Sequence, residues 1–356
     1  MTNSNNNKTA TIGDLQLNLG LDIGFGFIKA IATSGCYLES SKCRKGVKSD
    51  INANEGVQID IDGESYVIND NEKGSRSVDD YYAKITDIST TIFAISAIAK
   101  LAGKANSIVV NCATGLPAQQ FKDANLREQL KQTILNINNF KEILINGVKK
   151  KIVINNVFVA RQGGISTILK TVGLNGKISV IDIGTYTVNN TNFNSGKINE
   201  TDTIKRGIKH FYSTFRRTLD SLYFKEEDKT FNFNYGSDEE LMLDVTKNFV
   251  IGKGKEFNLD GDNPVAKAFK QDIDIYTQQI LDEFGNDTFN SVNSVVLSGG
   301  GALTAIRTSI AKLVENENVI TIDEIEGIFI DKSNFNLSQF LNTINYFLLL
   351  NAKLEL

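Results

Sequence analysis

Three short stretches of this 356-residue chain carry residues suited to holding a polyphosphate. In LNLGLDIGFGFIKA, an apolar strand from Leu17 to Ile23 runs into Gly24-Phe25-Gly26 and leaves along a second strand, Phe27 to Ala32. Glycine turns let backbone N–H groups approach phosphate oxygens without a Cβ in the way, and a hairpin tip gathers several such donors. In ISVIDIGTYTVNNT the layout returns: a strand from Lys177 to Ile183, the turn Gly184-Thr185-Tyr186-Thr187, and a polar strand from Val188 to Asn194. Two such hairpins set against each other can hold a polyphosphate between them. Asp22 and Asp182 stand at equivalent strand ends, where they can order waters around a magnesium ion, which keeps much of its hydration shell and takes few carboxylates. Lys29 adds a point charge. The third stretch, Ser298-Gly299-Gly300-Gly301-Ala302, follows a strand from Ser291 to Leu297 and opens a helix, where a base or ribose can rest on bare backbone. Taken singly, each turn reads better as an ordinary β-turn, so the weight lies in the three occurring together.

Composition narrows the class. With 38 basic and 42 acidic residues the net charge is -4, which provides no broad basic surface for a nucleic-acid backbone. Cys36, Cys43 and Cys112 have no CxxC spacing and suit reduced, buried thiols, which points to the cytoplasm. No uninterrupted apolar run reaches the roughly 18 residues of a membrane span. His210 is the only histidine and no nucleophile motif adjoins it, which argues against Ser-His-Asp or Cys-His chemistry.

The elements that must position these turns alternate between strand and helix. Asp62-Gly63 and Asn146-Gly147 mark hairpin turns. Helical spacing covers Ile85 to Leu101, a stretch near Asn125 to Ile137, Ile165 to Leu169, Ile204 to Leu222, Asp238 to Val250, Pro264 to Phe284, Leu303 to Val314 and Leu337 to Lys353. Strands cover Ser107 to Ala113 and Lys151 to Val159, and Glu226 to Glu239 reads as a loop or weak strand. The repeat of one hairpin pattern in both halves predicts an internal duplication, and the chain's length favours two domains.

In this order, DIGFGFIK, DIGTYTVN and SGGGA resemble the first phosphate, second phosphate and adenosine motifs of the actin, Hsp70 and sugar-kinase superfamily, while VVNCATGLPAQQF resembles a segment of ParM-type plasmid-segregation actins. The resemblance implies an α/β chain of two related domains around a nucleotide cleft. A tail over residues 1–16 would precede a first domain of 17–176 plus 335–356 and a second of 177–334. It implies Mg2+ with ATP or GTP. Nucleotide contacts would come from Asp22, Gly24, Phe25, Gly26, Phe27 and Lys29, from Gly184, Thr185, Tyr186 and Thr187, and from Gly299, Gly300 and Gly301. Asp182 would order magnesium and the attacking water, Asp22 would share the metal through water, and Gln162 would orient the attacking water. Thr185 and Tyr186 depart from the family, which often has two adjacent glycines there. The implied partners are further copies of the chain in a filament and a DNA-binding adaptor of the ParR type, with centromere DNA reached only indirectly and no membrane. The competing expectation is a small-molecule kinase or a non-polymerising regulatory ATPase of the same superfamily, for which Asp123 is the candidate base.

Overall fold

The computed structural model describes residues 14–47, 56–68, 82–225, 232–252, 254–314, 318–322 and 337–355. Most of the expected N-terminal tail, part of the 226–239 loop and the expected domain boundary at 334 therefore lie outside the described residues. The chain forms two compact units, Met1–Leu174 with Asp323–Leu356, and Asn175–Ile322.

The first unit opens with a meander: β1 (Leu15–Ile23), β2 (Phe27–Ala32) and β3 (Gly35–Ser40). β1 begins two residues earlier than its apolar run, inside the stretch expected to be a tail. A small sheet follows from β4 (Cys43–Lys45), β5 (Val57–Ile61) and β6 (Glu64–Ile68). The β5–β6 turn is made by Asp62 at φ 49° and Gly63 at φ 89°, the left-handed pair that an Asp-Gly hairpin accommodates. Helix α1 (Ile88–Ala102) is capped by the Asp87 carboxylate, which accepts from the Ser89 amide, and ends at Gly103. Then come β7 (Ser107–Leu116), α2 (Ala118–Lys122), α3 (Ala124–Leu135), β8 (Ile143–Ile145), β9 (Val148–Lys149), β10 (Lys151–Arg161) and α4 (Ser166–Thr171). The main sheet has the order β10-β7-β1-β2-β3, with β1–β7 and β7–β10 parallel.

The second unit repeats that plan with β11 (Lys177–Ile183), β12 (Val188–Asn194) and β13 (Lys197–Ile204) as its meander. α5 (Ile208–Lys225), α6 (Asp238–Asn248), β14 (Val250–Ile251), β15 (Phe257–Asn258), α7 (Pro264–Phe284) and α8 (Asn286–Asn290) come next. β16 (Ser294–Ser298), α9 (Thr304–Leu313) and β17 (Val319–Thr321) complete the unit. Its sheet order, β13-β12-β11-β16-β17, is that of the first unit strand for strand, including the two parallel pairs. The duplication expected from two hairpin motifs thus extends to whole sheets. One expectation is corrected: Ile204 ends β13, and the helix starts only at Ile208. Phe211, Phe215 and Phe269 form the aromatic centre between α5 and α7, with ring centroids 5.1–5.8 Å apart.

The last helix, α10 (Leu337–Leu354), returns to the first unit. β1 alternates its faces: Leu17, Leu19 and Leu21 enter the core shared with α1, while Asn18 and Gly20 meet α10. A Cβ on Gly20 would lie 2.3 Å from the Thr343 carbonyl oxygen and 2.9 Å from the Phe347 nitrogen. Glycine is therefore what lets the helix backbone close on the strand. Gly115 of β7 makes the same allowance for Tyr346, whose hydroxyl would be 1.9 Å from an added Cβ. Among the described residues no helix is long and apolar enough to cross a membrane.

Candidate functional site

The alternation of β1 that places Gly20 against α10 also puts Asp22 on that face. Antiparallel register sets Lys29 of β2 directly opposite Asp22, and Lys29 Nζ donates to Asp22 Oδ2 at 2.5 Å. Gln162, just past the end of β10, donates through Nε2 to Asp22 Oδ1 at 3.2 Å. Two residues expected to share a site are thus brought together across most of the first unit. α10 holds the Gln162 turn: Asn342 Oδ1 accepts from the Gly163 amide at 2.8 Å, and Asn345 Nδ2 donates to the Gly164 carbonyl at 3.1 Å. Neither asparagine carries a local sequence signal, because each sits within an apolar helix whose partner is remote in sequence.

The Gly24–Gly26 turn is tied back to its own unit through its first amide and its carbonyls. Gly24 N donates to Phe27 O at 2.9 Å, Ser41 N to Gly26 O at 2.9 Å, and Ser41 Oγ to Gly24 O at 2.7 Å. The corresponding turn of the second unit starts identically, with Gly184 N donating to Thr187 O at 2.9 Å. The start of α5 then takes the role of Ser41. Gly207 N reaches Tyr186 O (3.0 Å), Ile208 N reaches Gly184 O (2.9 Å) and Lys209 N reaches Thr185 O (3.0 Å). A Cβ on Gly207 would sit 2.4 Å from Thr185 O, so this clasp needs glycine. Lys209 also covers Tyr186, its Nζ 2.8 Å from the phenol oxygen and 4.8 Å from the ring centroid. The Thr185-Tyr186 pair is therefore accommodated by α5.

Asp182 occupies the position of Asp22, buried at 4% exposure and opposite Asn189 rather than a lysine. Parallel pairing places Ser298 beside it. Gly299, at φ 90°, packs so closely that a Cβ would be 2.4 Å from Ile183 O and 2.7 Å from Asp182 Oδ1. Gly301 donates its amide to Ile183 O at 2.9 Å, and Gly300 at the tip is exposed. The third glycine stretch thus abuts the second aspartate within one unit.

Among the described residues no group of three or more His, Cys, Asp or Glu side chains converges to hold a metal. Asp22 already accepts from both Lys29 and Gln162, so the donor set fits an ion that keeps water and phosphate as most of its shell, as magnesium does. Asp123, the candidate kinase base, is an exposed cap of α3 that accepts from the Asn125 amide at 2.8 Å. Burial and the nearby Arg206 and Arg217 hold His210 below the ordinary histidine value.

Sequence reasoning missed Lys84. It lies in a 3-10 turn, Ala83–Ile85, just before α1, and its Nζ rests 4.2 Å from the centroid of the Phe25 ring at the hairpin tip.

Residues 20–164 match a family model described as the N-terminal domain of actin-like proteins. No curated protein matches the chain significantly. Solved structures with a similar fold include an archaeal actin homologue, with a TM-score of 0.72 at 15% identity over 96% of this chain and 100% of that one. Bacillus thuringiensis ParM with ATP is similar at 0.65, with 15% identity over 96% and 100% of the two chains. A 15-stranded ParM filament from Clostridium botulinum is similar at 0.65, with 16% identity over 95% and 99%.

Proposed function

We propose that this chain, which carries the actin-like fold along its length, is an actin-like ATPase. In this reading it binds Mg-ATP, or GTP, on its glycine-bearing turns, assembles into filaments and hydrolyses the nucleotide. Filament turnover would drive plasmid DNA segregation through a DNA-binding adaptor of the ParR type. The observation that carries the reading is the pair of duplicated, aspartate-headed turns whose carbonyls are tied back into their own units. The first amide of each turn, Gly24 N and Gly184 N, closes its own hairpin, so phosphate oxygens would be met by amides further along each turn.

A bound magnesium nucleotide supplies the phosphoryl group and a cation that offsets its developing charge. The chain's own residues supply position. Lys29, held by Asp22, neutralises phosphate charge beside the first turn. Asp182 would hold the ion through water, with Asp22 a second water-mediated contact. Gln162, fixed by α10, presents its carboxamide to orient the attacking water. Head-to-tail assembly of one surface on another does not close on itself and so extends as a filament.

The direct test is sedimentation coupled to phosphate release with ATP, GTP and ADP in magnesium. Nucleotide-dependent pelleting with phosphate release is the expected result. Turnover by a protein that stays in the supernatant would instead favour a kinase or regulatory ATPase of the same fold. Gln162→Ala is expected to slow phosphate release on the order of a hundredfold, the scale of a misplaced reactant, while nucleotide-dependent pelleting persists. Unchanged turnover in that variant would remove Gln162 from its role.

A further inference from the structure

Lys84 is 8% exposed, and among the described residues its ammonium has no hydrogen-bond acceptor. The ammonium rests on the face of Phe25, the residue between the two glycines of the first turn. A ring face attracts a cation but satisfies few of its three N–H donors. The charged groups acting on it are Asp22 of β1 and Lys29 of β2. The other elements packed here offer non-titrating contacts: Thr90 of α1 donates to the Lys84 carbonyl, and Ile85 packs with Leu130 of α3. Asp22 is engaged by Lys29 and Gln162, so a charged Lys84 would leave one uncompensated positive charge beside the turn. A buried cation with donors but no acceptor calls for an anion.

We propose that Lys84 is a phosphate ligand, its ammonium meeting the anionic oxygens of a nucleoside polyphosphate seated on the Gly24–Gly26 turn. This rests on the nucleotide-binding reading above and adds a consequence to it. Burial pushes Lys84 down to about 7, with Lys29 adding to the fall and Asp22 opposing it. Without an anion the amine is therefore largely neutral at pH 8; with phosphate beside it, it is charged. Binding then takes up a proton from the buffer, and no bond of the nucleotide is made or broken.

The test is calorimetric titration of the full chain with ADP and magnesium at pH 8, in two buffers of different ionisation enthalpy. The intact protein is expected to take up about one proton per nucleotide. Lys84→Met is expected to bind roughly tenfold to a hundredfold more weakly, without uptake. Lys84→Arg, which stays charged, should bind more tightly than Lys84→Met, again without uptake. ADP binding by the intact chain without proton uptake, matched by Lys84→Met at equal affinity, would overturn the assignment and leave the nucleotide reading standing. No ADP or ATP binding by the intact chain would overturn that reading itself.

Thermal unfolding checks that the variant folds. The native amine loses its proton near 7 and the unfolded one near 10.5, so burying Lys84 costs stability fully below pH 7, and the cost fades as pH rises to 10.5. Lys84→Met is accordingly expected to melt higher than the parent at pH 7, with the difference closing toward pH 10.

Discussion

Asp182→Ala is expected to lower phosphate release on the order of a hundredfold to a thousandfold, the scale lost when a preorganised electrostatic group is removed from a reacting centre. The carboxylate stands at the end of β11, buried and packed against Gly299. Its position is set by strand pairing on both sides, with Asn189 opposite in β12 and Ser298 beside it in β16. A group so constrained loses little to reorganisation when charge develops nearby. Asp182→Asn, which keeps the shape and removes the charge, should show a loss of similar order, separating electrostatics from packing. If filaments form, those of both variants are expected to persist after the parent's have disassembled, because hydrolysis times disassembly in the proposed cycle. The measurement is phosphate release with pelleting followed over time. Turnover within a few-fold of the parent would show that Asp182 is a structural strand terminus.

The second large effect concerns stability. Gly20→Ala is expected to cost about 3 kcal/mol, at the upper end for an overpacked site, and to lower the melting midpoint by about 6 to 12 °C. The added methyl would meet the backbone of α10 at Thr343 and Phe347, and no rotamer change relieves a clash with backbone. Either β1 bends or the helix lifts, and lifting it also loosens the Asn342 and Asn345 bonds that secure the Gln162 turn. The variant should therefore lose hydrolysis at temperatures where it remains folded. Circular dichroism melting is the check, and a midpoint within about 2 °C of the parent would contradict the close approach of helix and strand.

Local chemistry accounts for what could be read from the sequence. The β1–β2 and β11–β12 hairpins are legible because an apolar run, leucine-rich in β1 and β-branched in β11, breaks at glycine. α7 is legible because Pro264 opens it and Asn263 caps it, accepting from the Ala266 amide. β13 was hidden because Lys197, Ile198, Asn199 and Glu200 are all exposed, leaving no apolar alternation. The start of α5 was misplaced because Gly207 is held against Thr185 and Tyr186, a contact across the meander that propensity does not register. In the candidate site, Asp22 and Lys29 follow from hairpin register. The contact of Gln162 with Asp22 requires α10, whose approach depends on Gly20, a residue that local rules count only as a weak point in a strand. Lys84 was invisible for a further reason: a lysine before a helix is ordinarily solvated, and only the completed fold shows that this one is enclosed.

The return of α10 to the first sheet also bears on the order in which the molecule can be completed on the ribosome. Domains generally fold as units, N-terminal first during synthesis. Here the second unit is a single uninterrupted segment, whereas the first lacks its last helix until after the whole of the second has been made. The nascent chain can close the later unit while the earlier sheet still presents Asn18, Gly20, Ala113 and Gly115 without their cover. The same late helix anchors the Gln162 turn, so a chain still being translated has both aspartates but not yet the fixed carboxamide. In the proposed cycle, a new subunit acquires hydrolytic competence only after its second unit has been made.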